Sequence, residues 1–221
     1  MKIATWNIER PGKFSGKLKG ITELLIAYNP DILVLTETNE NVYLAENYKC
    51  FHTAALEQPY YKPGERRVSI YSKYDAIGVI KTFRDDTSIC VKYDTPIGEL
   101  AVYGTVIGIH GNRRKSFMED LDSQIEDFES IGKNANLCIC GDLNVSFSDN
   151  YYYTKEGRNK LVAVFEKMKL DNLTAGIRQN IDHIIIPESI CCNCKIDTST
   201  GNDDKKLSDH IMVGVEIFYG S

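Results

Sequence analysis

Short apolar runs recur along this chain, and four of them meet a carboxylate, amide or imidazole at one end. Ile3-Ala4-Thr5-Trp6 leads into Asn7, Ile32-Leu33-Val34-Leu35-Thr36 into Glu37, and Leu137-Cys138-Ile139-Cys140 into Gly141-Asp142-Leu143-Asn144. Ser208-Asp209-His210 stands directly before Ile211-Met212-Val213. Runs this short and apolar read as buried strands, and a strand end needs none of these polar groups for its stability. Side chains at the rims of rigid strands are held more accurately than side chains on loops. The pattern therefore predicts a sheet-based fold with one polar site assembled at strand ends.

The order of elements narrows the architecture. Leu18, Ile21, Leu24, Leu25 and Tyr28 recur at helical spacing, and Asn29-Pro30 ends that helix before a strand over 31–36, a β-α-β opening. Segments 67–73, 76–81, 88–94 and 99–109 concentrate β-branched and aromatic residues, with turns at Lys73-Tyr74-Asp75 and Asp94-Thr95-Pro96-Ile97-Gly98. Consecutive strands without intervening helices predict antiparallel pairing. Phe117, Leu121, Ile125 and Phe128 mark an amphipathic helix whose acidic face, with Glu119, Asp122 and Glu126, is solvated. After the 137–140 strand come a helix around Leu161, Phe165 and Met168, and strands at 181–186, 191–197 and 211–218. No internal repeat or linker is visible. The chain is long enough for one sizeable core, so a single domain over 1–221 is expected, an α/β fold of two packed sheets with helices outside.

Composition excludes some classes. The first residues are interrupted by Asn7, Glu9 and Arg10, which is unlike a signal peptide, and no segment approaches the length of a membrane span. A cytoplasmic protein with no membrane association is expected, monomeric and without an obligate protein partner. Seven cysteines are an odd number, and Cys138 and Cys140 alternate within a core strand, so reduced thiols are expected. Cys191, Cys192 and Cys194 lack a second cysteine pair at zinc-site spacing, which disfavours a structural zinc. A net charge of −5 argues against gripping nucleic acid by bulk electrostatics. Local basic clusters remain: Arg10, Lys13, Lys17 and Lys19; Arg66-Arg67; and Arg113-Arg114-Lys115 after His110-Gly111-Asn112. Most read as solvated surface charge. Arg113 and Arg114 stand apart because they follow a strand end beside a histidine.

The ordered set Trp6-Asn7-Ile8, Leu35-Thr36-Glu37-Thr38, Gly141-Asp142-Leu143-Asn144, Ile181-Asp182-His183-Ile184 and Ser208-Asp209-His210 resembles the endonuclease/exonuclease/phosphatase superfamily, which includes deoxyribonuclease-I-like and abasic-site endonucleases. The resemblance covers nearly the whole chain. It implies a four-layer α/β sandwich, two packed and mostly antiparallel sheets flanked by helices, and hydrolysis of a phosphate ester with a divalent metal. The implied metal is Mg2+, with Mn2+ as a substitute.

The resemblance also implies roles. Magnesium takes oxygen ligands and keeps several waters, so one or two carboxylates suffice; Glu37 is the direct ligand, and Asn7 and Asp209 complete the shell directly or through water. Asp142 orients or deprotonates the attacking water, and Asn144 holds that water or a phosphate oxygen. His210 contacts a nonbridging phosphate oxygen, with Asp182 fixing its tautomer and favouring its charged form. His110 assists the phosphate or leaving group, and Asn7 and Asn112 bind substrate; Arg113 and Arg114 are read as substrate-binding from their own place beside His110. The chain departs here from the abasic-site endonuclease pattern, which has a Tyr-x-Pro-Asn stretch where His110-Gly111-Asn112 stands. His183 points to the opposite strand face from Asp182 and is expected to be structural.

Each residue also has a bland role. Asn7, Asp142 and Asn144 suit turns, Glu37 suits surface charge or a helix-start cap, and Asp209 suits a cap. Five such coincidences in order are harder to accept than one site. The expected activity is hydrolysis of DNA or RNA phosphodiesters, with nucleic acid as substrate. A phosphatase or phosphodiesterase of a small or lipid phosphate is the alternative. The phosphoinositide branch typically carries Pro-Ala-Trp-Cys-Asp-Arg where this chain reads Gly176-Ile177-Arg178-Gln179-Asn180-Ile181-Asp182. A catalytically silent binding protein is the third reading, and it has no chemical need for the whole polar set. Tyr151-Tyr152-Tyr153 suits either base stacking or a partly buried staple, and the segment from Asn39 to Arg67 is a candidate rim loop.

Overall fold

The computed structural model describes residues 1–192 and 194–219. The opening unit follows the residue pattern: β1 (Lys2–Asn7), α1 (Gly16–Tyr28) and β2 (Ile32–Asn39), with the two strands parallel and paired from Ile3↔Ile32 to Asn7↔Thr36. Ser15 caps α1 by accepting the Lys17 N–H, and Asn29 closes it in the left-handed region, as a terminal asparagine readily does. There follow β3 (Lys49–His52), β4 (Glu65–Ser72), β5 (Ala76–Ile80), β6 (Ser88–Thr95) and β7 (Gly98–Val106). Then come α2 (Lys115–Gly132), β8 (Asn136–Asp142), α3 (Lys155–Met168), β9 (Leu170–Asn172), β10 (Asp182–Pro187), α4 (Glu188–Cys191), β11 (Cys194–Gly201) and β12 (Met212–Tyr219).

The strands form two sheets of six, ordered β11-β12-β1-β2-β4-β3 and β5-β6-β7-β8-β10-β9. Each sheet has one parallel pair near its middle, β1–β2 and β7–β8, bridged by a helix; the other pairings are antiparallel. Alternation along the strands produces the layers. Ile3, Val34, Ile70, Val102, Cys140, Ile184 and Val213 fill the space between the sheets. Ala4, Trp6, Leu33 and Leu35 pack outward beneath Leu18, Ile21 and Leu25 of α1. Tyr103, Ile139 and Ile185 meet Phe117, Phe128, Leu161 and Phe165 of α2 and α3. The result is the four-layer α/β sandwich.

The structure departs from the sequence expectations in four places. The strands from 67 to 109 pair antiparallel as expected among β5, β6 and β7, but they are divided between sheets: β4 pairs, also antiparallel, with β2 and β3, and the turn after Ser72 carries the chain into the second sheet. The strand read over 99–109 ends at Val106, because Gly108 turns the backbone left-handed at φ 74°. The segment from Asn39 to Arg67 contains β3 and is only partly a loop. Helix α4 covers Glu188–Cys191, so the strand read over 191–197 starts at Cys194. Residue 193 of that stretch, and residues 220–221 of the expected domain, lie outside the described residues.

Candidate active site

Strand parity decides which polar groups reach the seam between the sheets. On β1, Asn7 shares the face of Ile3; on β8, Asp142 shares that of Cys138 and Cys140; on β10, Asp182 shares that of Ile184 and Ile186. Both parallel pairs end on this side, so the two sheets meet there with their polar residues facing. Asn7 Nδ2 donates to Asp142 Oδ2 at 3.0 Å, a buried hydrogen bond between the sheets. Asp142 Oδ1 accepts the Asn144 backbone N–H at 2.9 Å, and Asp182 is directly opposite Asp142 in the β8–β10 register. Gly141 makes this junction possible. Its φ is 142°, and a Cβ there would lie 2.0 Å from the Thr105 carbonyl oxygen on the neighbouring β7.

His210 enters from the loop between β11 and β12. Its Nδ1 lies 2.6 Å from Asp182 Oδ2. Its carbonyl accepts from Trp6 Nε1 at 3.0 Å and from Asn202 Nδ2 at 2.8 Å. Its backbone N–H donates to Ser208 Oγ, which in turn donates to the Asn7 carbonyl at 2.7 Å. Ser208 thus ties the histidine to the strand end carrying Asn7. Asn180 brackets Asp182 by accepting its N–H and donating to its carbonyl.

Electrostatics move Asp142 and His210 away from their ordinary values. Burial and then the facing Asp182 charge raise the Asp142 pKa to about 7. Burial disfavours the His210 imidazolium, but the Asp182 carboxylate and its hydrogen bond, with Asp142 and Asp209 behind it, outweigh that and carry the pKa to about 10. His210 is therefore a cation at neutral pH, next to a buried Asp142 within reach of gaining or losing a proton. Asp182 Oδ1 is buried without a hydrogen-bond partner.

A second polar cluster adjoins the first. Glu37 has a left-handed φ of 45°, which interrupts strand alternation and re-aims its side chain. Arg10, itself left-handed, donates its backbone N–H to the Glu37 carbonyl and places Nη2 2.6 Å from Glu37 Oε2. Asn7 Oδ1 accepts the Glu9 N–H at 3.1 Å. Asp209 lies at the rim with its side chain 75% exposed, its N–H on Glu9 Oε2 and its Oδ1 3.5 Å from His210 Nε2. Among the described residues, no group of three His, Cys, Asp or Glu side chains is placed to hold a metal, the Cys191, Cys192 and Cys194 group included. What the cluster offers is oxygen donors, the chemistry of a hard cation that keeps most of its water.

A cleft of about 280 Å3 opens beside the Asp182–His210 pair, lined by Asn144, Asp182, Asp209 and His210 and flanked by Tyr151 and Lys205. Tyr151 faces it half-exposed, with the Lys205 ammonium 5.0 Å above its ring. Other residues read from the sequence sit elsewhere. Because β7 stops at Val106, His110 is carried away from the cleft; it is exposed and lines a separate depression with Tyr61 and Arg67. Arg113 and Arg114 are exposed at the start of α2. Asn112 is buried and donates Nδ2 to the Asn144 carbonyl at 2.7 Å, a support for the Asn144 loop. His183 faces the helices: Nε2 donates to the Val145 carbonyl at 2.9 Å, Nδ1 lies 3.1 Å from Thr174 Oγ1, and burial lowers its pKa to about 4.

Five positioning groups are missed by the sequence reading, among them Asn180, two residues before Asp182. Trp6 and Ser208 lie inside the quoted motifs, so their place beside Asn7 and His210 is a usable signal. Asn202 and Arg10 carry none, since both act from loops in left-handed backbone.

Two β-sheets meeting face to face, with polar strand ends at one rim and helices outside, define the deoxyribonuclease-I-like class of α/β sandwiches. The chain belongs to the Endonuclease/Exonuclease/phosphatase family, whose model matches residues 4–210. Among solved structures, it resembles the AP endonuclease LMAP from Leishmania major at TM-score 0.74 and 16% identity, covering 99% of this chain and 88% of that one. An AP endonuclease from Archaeoglobus fulgidus gives TM-score 0.73 and 15% identity, with 98% and 99% covered. The 3′ phosphatase NExo from Neisseria, in a variant bound to a product DNA hairpin, gives 0.72 and 16%, with 99% and 100% covered. At these identities the likeness establishes the fold alone. No curated protein matches the sequence. Among the described residues, no helix is long and apolar enough to cross a membrane.

Proposed function

We propose that this protein is a divalent-metal-dependent phosphodiesterase acting on DNA or RNA, with residues 1–221 as one catalytic domain. The observation that carries the reading is the meeting, at one strand-end rim, of the buried Asn7–Asp142 bond and the Asp182–His210 pair, with Asp142 opposite Asp182 in register and Asp182 and His210 lining the cleft. A buried carboxylate of raised pKa beside an imidazolium suits proton removal from water next to a group that neutralises phosphate charge.

In this reading the substrate phosphate sits against His210, whose Nε2 faces away from Asp182 and meets a nonbridging oxygen. Asp142 holds the attacking water and takes its proton as the new phosphorus–oxygen bond forms and the ester bond to the leaving oxygen breaks. Asn7 and the Asn144 N–H keep the two Asp142 oxygens oriented. The Asn144 side chain is turned to the Ile107 carbonyl at 2.9 Å, so Asn144 shapes the loop as well as facing the cleft. Asp182 fixes the His210 ring, and Asn180 fixes Asp182.

The oxygen donors fit Mg2+ or Mn2+, with Glu37 as the carboxylate anchor and Asn7 and Asp209 contributing directly or through water once Arg10 has left Glu37. When bound, the cation supplies charge stabilisation at the phosphate and the leaving oxygen. His110, Arg113 and Arg114 are not part of this centre; their reach is to substrate beyond the cleft.

A second reading, hydrolysis of a small phosphate ester, draws support from the size of the cleft, about 280 Å3, toward the lower limit for a small-molecule site. Both are tested by one panel: single-stranded, duplex and abasic DNA, RNA, and small phosphomonoesters and diesters, each with Mg2+, Mn2+ or EDTA. Cation-dependent cleavage of a polynucleotide, lost in Asp142→Asn, is the expected result. Turnover of small esters alone selects the second reading, and folded protein inert on every substrate refutes both.

A further inference from the structure

Phe14 is 94% exposed, whereas Phe117 and Phe128 are fully buried in the core. It does not dangle. Residues 12–15 form a tight turn closed by Ser15 N–H to the Gly12 carbonyl at 2.8 Å. The turn is anchored on both sides: Asn39 Nδ2 holds the Pro11 carbonyl at 2.5 Å, and Ser15 begins α1 as its cap. A fixed turn that presents an aromatic ring to water gains nothing for the core.

The surroundings of the ring are cationic. The Lys13 ammonium stands 5.8 Å from the ring centroid, and Lys13 has no ion-pair partner among the described residues. Lys17 and Lys19 fall in the first turn of α1, which has no acidic residue. Lys17 reaches Glu9 at 3.7 Å and Lys19 reaches Glu23 at 3.8 Å, both on exposed surface where such pairs exchange readily with another anion. The positive end of the helix dipole adds to this field. The turn also leaves directly from Arg10, which touches the proposed reaction centre through Glu37.

We propose that Phe14 is a stacking platform for an unpaired or terminal nucleobase of the substrate strand, with Lys13, Lys17 and Lys19 receiving the adjoining phosphates. The inference rests on the nucleic-acid reading of the active site and adds a strand path to it. An aromatic face stacks on any base, and cations beside it bind the backbone. A lipid surface is the poorer occupant, since membrane-lying segments present a broad apolar face and here one ring stands among charges.

The test uses the natural chain's lone tryptophan to advantage, because Trp6 is fully buried. In Phe14→Trp, titrated in EDTA with oligo(dT) and oligo(dA), the new exposed indole should be quenched on binding while the natural protein shows no comparable change. Phe14→Ala, shown to be folded by circular dichroism, should bind single-stranded oligonucleotides about 10-fold or more weakly in a filter or anisotropy assay. No quenching and unchanged affinity would overturn the proposal, as would quenching by phosphatidylserine vesicles but not by oligonucleotides. Hydrolysis of bis(p-nitrophenyl) phosphate by the natural protein with Mn2+ is measured alongside. It reports on the reaction centre alone, so failure of the stacking platform and failure of the phosphodiesterase reading give different results.

Discussion

The Arg10 guanidinium lies 2.6 Å from Glu37 Oε2, on the carboxylate proposed to anchor the cation. Both side chains are a little under one-third exposed, so the pair is partly screened. Arg10 supplies a positive charge where the proposed metal would bring two, so the arginine and the cation repel one another at this carboxylate. The ring of Tyr61, 5.7 Å from the Arg10 guanidinium and 5.2 Å from that of Arg67, offers a resting place once Arg10 lets go.

Arg10→Ala is accordingly expected to bind Mn2+ about two- to fivefold more tightly than the natural protein, the scale of a partly exposed ion pair. Calorimetric titration measures this without substrate. Equal or weaker binding would show that the arginine does not compete.

Asp142→Asn keeps the shape of the side chain and removes the base. Turnover on the best substrate of the panel should fall at least ~100-fold, the scale for a positioned acid or base. Glu37→Ala should lose activity to a similar extent and lose Mn2+ binding as well, whereas Asp142→Asn should retain most of it. Near-normal turnover in either variant would remove that residue from the mechanism.

Asp182→Asn removes the charge that holds His210 protonated. The His210 pKa should drop from about 10, since burial is then opposed only by Asp142 and Asp209. Carbon-13 chemical shifts of the imidazole across a pH titration read this directly, and an unmoved titration would show that Asp182 does not control the ring. His210→Ala should lower turnover by ~100-fold or more.

His183 is expected to contribute to acid sensitivity. Its folded pKa is lowered to about 4 by burial, while an unfolded chain titrates near the ordinary value of 6.5. The unfolded state binds the extra proton, so this contribution is fully present above pH 6.5 and is lost as pH falls from 6.5 to 4. The size is on the order of 3 kcal/mol. Urea unfolding at about pH 7 and about pH 4.5, on either side of most of that window, should show a smaller pH difference in His183→Gln than in the natural protein; an identical difference would mean that other groups set the acid limit.

How far the sequence reveals the molecule depends on local pattern. β1, β2 and β8 are legible because continuous apolar runs stop at a polar residue, and α1, α2 and α3 because their buried residues recur at helical spacing. Parity then places Asn7, Asp142 and Asp182 on one side and His183 on the other. β3 and β9 are too short and too exposed to carry a period. His110 is drawn to the cleft by an overlong strand: Ile107 and Ile109 continue the apolar run past Val106, and only backbone geometry at Gly108 reveals the break. Arg10 is invisible because its reach to Glu37 depends on consecutive left-handed residues that no periodicity encodes.

The bond from Asn7 to Asp142 crosses between layers that are each hydrogen-bonded on their own, and β12 pairs with β1 at the far side of the same rim. Neither layer alone possesses the proposed chemistry. His210 stands just before β12 in the first sheet, whereas Asp142 and Asp182 belong to the second, so the second sheet by itself lacks the proposed centre. Docking of the two sheets is therefore itself the step that assembles the proposed centre, and a molecule whose sheets have parted should be inert while each sheet keeps its own hydrogen bonds.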